Sequence, residues 1–226
     1  MSMGDDDTGT FASPPCFMHE LDPDGNTPVD PVQARDVARW RKAERKRLVD
    51  ERLAIPEAVR RERDEAIAAH LLAEIGPVEG ICIGAYWPFR GEPDLRPFLF
   101  EIASRGGRCA LPVVMERARP LVFRLHVPGE TPARDALGIP APADTAPEVV
   151  PDILLAPVVG FDAECYRLGY GGGFYDRTLA SMNPRPRVIG VGDAQAEIPT
   201  VFPQWNDIPM TAMVTEQGVR YPRKGV

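Results

Sequence analysis

Between residues 167 and 177, reading RLGYGGGFYDR, two arginines, two tyrosines and an aspartate crowd around four glycines. Arg167 and Arg177 offer cations for phosphate, Tyr170 and Tyr175 offer rings for a planar ligand, and Asp176 offers a carboxylate for a metal. Gly169, Gly171, Gly172 and Gly173 would each cost roughly 1 kcal/mol against Ala inside a helix or strand, so they predict a bend. Upstream, residues 152–161 (DILLAPVVGF) read as a buried strand, a short apolar run bounded by Pro and Gly. Downstream, residues 174–182 read as a helix with Asp176 in its first turn, where the helix dipole favours a carboxylate. Strand, glycine bend and helix make an anion cradle: spare N–H groups at the helix start point into the bend, and missing side chains let a phosphate reach them. A tight turn with no ligand would use the same glycines. Two familiar phosphate loops are excluded, because no Gly-Lys-Ser/Thr follows and Phe174 stands where G-x-G-x-x-G puts its third glycine. Asp193, about 20 residues on, has the place of a ribose-binding acid in dinucleotide folds, but the missing glycine argues against NAD.

Other elements must position this stretch. Residues 31–55 read as a basic helix with Val37, Trp40, Leu48 and Leu53 at helical spacing, and Arg41 and Arg45 lie one turn apart on one face. A solvated basic face balanced by Glu44, Asp50 and Glu51 would look the same. A second helix (57–74) leads into an apolar strand (81–89), a loop (90–95) and a helix (96–104) that Asp94 is placed to cap. Strands follow at 108–114 and 120–126, then a Pro- and Ala-rich loop (128–151), and a further strand at 187–193. Strands separated by helices imply crossovers, hence a three-layer α/β fold: a largely parallel, Rossmann-like sheet with helices on both faces. Ligands then gather beyond the carboxyl ends of the strands, and Trp87 and Glu92 sit at such an end.

Composition narrows the function classes. A net charge of −7 over 226 residues argues against a nucleic-acid binder, and no apolar run approaches the ~20 residues a membrane span needs. The acidic, polar start is the opposite of a secretory or mitochondrial signal and points to the cytoplasm. Cys16, Cys82, Cys109 and Cys165 are scattered, indicating neither a zinc site nor a disulfide framework. Residues 1–34 read as a partly irregular extension in which 11–21 could dock as an arm, with Cys16 and His19 as packing residues; residues 35–226 read as one α/β domain. No Ser-His-Asp or Cys-His arrangement is evident, and His70 and His126 read as bystanders.

The stretch RLGYGGGFYDR, following PVVGFD, resembles the signature of the 5-formyltetrahydrofolate cyclo-ligase (methenyltetrahydrofolate synthetase) family, usually R-L-G-Y-G-G-G-Y-Y-D-R. Phe174 keeps the usual ring and loses a hydroxyl. The basic helix, with RLAIPE at 52–57, is similar to the family's K-x-x-x-R helix, with Arg41 in place of the Lys or Lys42 acting from one position over. Residues 86–95 resemble the segment Y-x-P-x-x-x-E-x-D, and 137–142 the segment G-I-x-E-P, with Ala141 where the acid stands. Residues 203–216 resemble the closing segment, where Asn206 and Asp207 match and Thr211 replaces a second Asp.

This resemblance implies a cyclo-ligase fold and ATP-dependent cyclisation of 5-formyltetrahydrofolate to 5,10-methenyltetrahydrofolate through phosphorylation of the formyl oxygen. It implies ATP on Arg41, Lys42, Arg45, Arg167, Leu168, Gly169, Tyr170, Gly171, Gly172, Gly173, Phe174 and Tyr175, and Mg²⁺ on Asp176 and Asp207. The folate would meet Arg45, Trp87, Glu92, Tyr170 and Phe174, with Arg45, Tyr175 and Asp176 catalytic. A carboxylate suits the N–H donors of a pterin, and an indole can stack on it. A monomer or weak homodimer is expected. A non-catalytic nucleotide- or folate-binding paralogue, and a sugar-phosphate isomerase or acyl-CoA transferase on the same architecture, stay open as alternatives.

Overall fold

The computed structural model describes residues 31–223; the arm read at 11–21, with Cys16 and His19, lies outside them. By its contacts the chain divides into two units, residues 1–40 and 41–226. Of the first, the described residues are the opening turns of helix α1 (Pro31–Leu53); the second holds the rest of that helix and all other elements.

Helix α1 has no Gly or Pro after its first residue, and Lys46–Asp50 and Arg47–Glu51 pair across single turns on its exposed side. Pro56 then stops it, because a proline ring excludes helical backbone before it. Helix α2 (Glu57–Ile75) buries Ile67 and Leu71 and ends at Gly76, which takes φ +77° and returns its N–H to the Leu72 carbonyl.

Strand β1 (Cys82–Gly84) is followed by α3 (Arg96–Ser104), β2 (Arg108–Val113) and β3 (Val122–His126). Three two-residue strands, β4 (Ala133–Arg134), β5 (Pro140–Ala141) and β6 (Glu148–Val149), lie in what the sequence suggested was loop. Next come β7 (Ile153–Pro157), a small hairpin of β8 (Gly160–Phe161) and β9 (Arg167–Leu168), α4 (Phe174–Ser181), β10 (Arg187–Val191), β11 (Ala212–Thr215) and β12 (Gly218–Arg220). The main sheet has the order β12-β11-β10-β7-β1-β2-β3-β6. Its five central members, β11 to β2 in that order, run parallel; β12, β3 and β6 pair antiparallel at the flanks. This is the mostly parallel α/β sheet expected.

Two expected strands are shorter than their apolar runs. β1 stops at Gly84 because, after Ala85 gives its N–H to Ala110, the chain leaves the sheet near Pro88, which has no N–H to offer. The run 152–161 breaks at Pro157, and Gly160–Phe161 turns away to pair with Arg167–Leu168. Asp94 is not the N-cap of α3, which is Leu95; its Oδ1 instead accepts the Arg96 N–H at 3.0 Å, a first-turn donor.

The core explains the layering. Ile67 and Leu71 of α2 and Phe98, Leu99 and Ile102 of α3 pack against Ile83, Leu111, Leu155, Ile189 and Val214 from one face of the sheet. β1 connects through α3 to its neighbour β2, whereas β7 connects through α4 to β10 on its other side. Neighbouring strands whose crossovers depart in opposite directions carry their helices to opposite faces and leave a crevice beyond their carboxyl ends. The loop after β1 (85–95) and the glycine loop (169–173) both lie beyond that crevice's edge.

Candidate active site

The glycine loop bridges β9 and α4. Gly171 has φ +93° and Gly173, the N-cap of α4, has φ +63°, backbone that side chains resist. No side chain caps the helix, and among the described residues the N–H groups of Gly171, Gly172 and Gly173 donate to no protein acceptor. The loop instead curls around Arg45: Nε donates to the Gly169 carbonyl at 2.7 Å, and a Cβ on Gly171 would stand 3.3 Å from the guanidinium carbon. Leu168 is fully buried in β9 and can offer a ligand only its backbone.

Arg41, Arg45, Leu48 and Arg52 recur at four-, three- and four-residue steps, so α1 presents them on one face. Lys42 is turned about 100° away and is exposed. Arg41 reaches Asp207 (Nη2 to Oδ2, 2.7 Å), and its Nε is buried without a hydrogen-bond partner among the described residues. Burial first, and the Arg41 charge second, lower the Arg45 pKa, while Asp207 opposes them. Two adjacent guanidiniums in a cleft call for an anion.

Asp176 pairs with Arg167 (Oδ1 to Nη2, 2.8 Å), whose guanidinium also lies over the Tyr175 ring at 5.6 Å. The same Oδ1 accepts the Ile208 N–H at 3.3 Å, so Asp176 touches the residue next to Asp207. Asp207 in turn accepts the Gln204 N–H at 2.8 Å. Two carboxylates, one in α4 and one in the loop it touches, are thus each paired with an arginine. Among the described residues no three His, Cys, Asp or Glu converge as a metal cluster.

On the other side of the crevice, Glu92 is 7% exposed; Oε2 accepts the Phe89 N–H at 2.9 Å and Oε1 is buried with no hydrogen-bond partner among the described residues. Burial raises its pKa from an ordinary 4.5 to about 7, against the opposing pull of the Arg52 charge. The Tyr175 hydroxyl is likewise buried and unpartnered. Tyr170 leans its ring edge-on to Phe89 (centroids 5.8 Å apart) and donates its hydroxyl to the Phe89 carbonyl at 3.4 Å. The Arg177 guanidinium lies 5.3 Å over the Phe174 ring and Nη2 donates to the Gly172 carbonyl at 2.5 Å.

The structure therefore brings Arg45, Gly169–Gly173, Tyr170, Tyr175 and Glu92 into one neighbourhood, and Arg41, Asp176 and Asp207 into an adjoining one. Trp87 faces elsewhere, with Arg96 5.4 Å above its ring and His126 edge-on at 6.3 Å; no contact joins it to Glu92. Asp193, the ribose-acid position, is occupied by Arg63 of α2 at 3.1 Å. Sequence reasoning passed over Arg52, 4% exposed and hydrogen-bonded to Tyr170. Its register with Arg41 and Arg45 was the available signal.

A model of the 5-formyltetrahydrofolate cyclo-ligase family matches residues 37–216. The chain belongs to that family. A 5-formyltetrahydrofolate cyclo-ligase of Mycolicibacterium smegmatis is 31% identical over 188 residues, 79% of this chain and 92% of the relative. One of Escherichia coli is 30% identical over 175 residues, 74% of this chain and 96% of its own length. The solution structure of Aquifex aeolicus 5,10-methenyltetrahydrofolate synthetase superposes with a TM-score of 0.70 at 28% identity, over 82% of this chain and 94% of that one.

One of this chain's departures from the family pattern falls away from the crevice. Thr211 gives both its N–H (2.8 Å) and its hydroxyl (2.6 Å) to the Val188 carbonyl, near the amino end of β10 and opposite the ligand edge. Ala141, 1% exposed, lies in the β4–β5 ladder. A carboxylate at that buried place would need a partner.

Proposed function

We propose that this chain catalyses the ATP-dependent cyclisation of 5-formyltetrahydrofolate to 5,10-methenyltetrahydrofolate, releasing ADP and phosphate. One observation carries it: the glycine loop bends around Arg45, and among the described residues the N–H groups of Gly171, Gly172 and Gly173 have no protein acceptor. Close by, Glu92 Oε1 and the Tyr175 hydroxyl are buried without hydrogen-bond partners among the described residues. Open backbone donors beside guanidiniums fit a polyphosphate, and an open carboxylate flanked by rings fits a pterin.

An N-formyl group is amide-like, and its oxygen cannot leave unaided. Transfer of the ATP γ-phosphoryl group to that oxygen turns it into a leaving group; N10 then attacks the formyl carbon, and the oxygen departs within phosphate. Such a reaction asks a protein for positioning and charge neutralisation rather than a nucleophile. In this proposal the glycine N–H groups with Arg41, Arg45 and Arg167 hold the phosphates, Tyr175 donates toward the reacting oxygen, and Glu92, Tyr170 and Phe174 hold the folate. Mg²⁺ typically takes one or two carboxylates and completes its shell with phosphate oxygens and water, so Asp176 and Asp207, joined through Ile208, suit it without a third ligand. It would supply neutralisation of phosphate charge.

Incubation with ATP, Mg²⁺ and 5-formyltetrahydrofolate tests the proposal by methenyl absorbance. An ATP-dependent rise is expected; no rise from folded protein, or an equal rise without ATP, would sink it. Gly171→Ala probes the cradle separately. Its left-handed φ and the approach to Arg45 are expected to lower stability by about 1–2 kcal/mol in urea unfolding and to weaken ATP binding roughly tenfold by titration.

A further inference from the structure

We propose that Arg52 is a positioning residue: its guanidinium clamps the loop after β1, which carries Glu92, to the glycine loop, and so fixes the spacing between the folate and nucleotide subsites. This rests on the function proposed above.

Arg52 is buried, yet among the described residues no carboxylate pairs with it directly. Its three nitrogens go instead to three different segments: Nε to the Arg90 carbonyl at 3.0 Å, Nη1 to the Val158 carbonyl at 3.1 Å and Nη2 to the Tyr170 hydroxyl at 2.6 Å. A buried cation costs several kcal/mol unless its hydrogen bonds are satisfied, so this one is held in place by all of them together. Arg90, whose carbonyl it takes, has φ +48°, and Gly91 follows at φ +73°. Left-handed backbone at a non-glycine residue persists only where its surroundings over-determine it, and the Arg52 bond is one such constraint. The stem also lies along the loop, with Cγ 3.6 Å from where a Gly91 Cβ would be.

The clamp closes into a circuit. Tyr170 accepts from Arg52 and donates to the Phe89 carbonyl; Phe89 donates its N–H to Glu92. Glu92 is thus held by the same loop that Arg52 ties to Tyr170, and Tyr170 follows directly on Gly169, whose carbonyl Arg45 takes. A shift of the guanidinium would displace both subsites together.

Arg52→Met keeps the stem and removes the fork. With ATP and 5-formyltetrahydrofolate titrated singly by calorimetry, it is expected to weaken both by about tenfold or more, while circular dichroism shows folded protein. Arg52→Lys is expected to recover the melting temperature but neither affinity, because one ammonium cannot reach Arg90, Val158 and Tyr170 at once. Tyr170→Phe added to Arg52→Lys is expected to cost less than the sum of the two single losses, because both variants break the Arg52–Tyr170 bond. Parental affinities in Arg52→Lys, additive losses in the double variant, or a folded Arg52→Met that binds both ligands as the parent does would each overturn the clamp. Should Arg52→Met fail to fold, the Lys and Phe variants decide alone. If the parent binds neither ligand, the proposed function fails too; if it binds both and the variants change nothing, only the clamp fails.

Discussion

Asp176→Asn should retain the fold and lose ATP-dependent turnover by roughly a thousandfold, equivalent to about 4 kcal/mol of transition-state stabilisation. The amide oxygen of Asn can still accept from Arg167 Nη2 and from the Ile208 N–H, so the loop keeps its two anchors and loses only charge. Truncation to Ala is the poorer experiment. Arg167 has a side chain only 5% exposed, and leaving that cation without its carboxylate would cost about 3 kcal/mol of stability on its own. Turnover in Asp176→Asn should also need more Mg²⁺ to reach half its maximum. A variant with parental turnover and parental Mg²⁺ dependence would remove Asp176 from the proposed metal site.

Glu92→Gln should do two opposite things. Glu92 titrates near 7 when folded and near 4.5 when exposed, so the folded state holds its proton more tightly. Below pH 4.5 both states are protonated and burial costs nothing extra; as pH rises from 4.5 to 7 the parent loses stability, up to about 3 kcal/mol, and above 7 the loss is constant. Gln does not titrate. Its melting temperature relative to the parent should therefore climb across that window and level off above it, whatever pH-independent offset its amide brings. Meanwhile 5-formyltetrahydrofolate affinity should fall by roughly tenfold to a hundredfold, because the acceptor offered to the pterin is no longer charged. A stability gap that stays flat from pH 5 to 8 would show that Glu92 does not titrate as its burial dictates. Unchanged folate affinity would remove it from the substrate site.

Much of this site was legible because it is local. Arg167, the glycines and Asp176 fall in a short strand, the bend after it and the helix that follows, and the bend forms where such residues demand it. The basic face of α1 needed tertiary contacts to interpret: Lys46 and Arg47 are indeed solvated and paired along the helix, whereas Arg41, Arg45 and Arg52 turn inward. Arg52 escaped notice because a buried arginine satisfied by two carbonyls and a hydroxyl leaves no acidic partner in the sequence to flag it. Strand ends were misjudged where an apolar run outlasts its pairing, as at Pro157, where the ladder with β10 stops although the apolar residues continue. Trp87 was placed by the family resemblance, and its orientation toward Arg96 and His126 depends on α3 and β3, further along the chain.

The eight-stranded sheet finishes on either side with short members, two residues at β6 and three at β12. Pro147 and Pro151 bracket the first, and Pro222 follows soon after the second, so the outermost backbone has few donors to lend. A neighbouring molecule seeking to extend the sheet would find almost no ladder to climb, which guards concentrated protein against accretion through its rims.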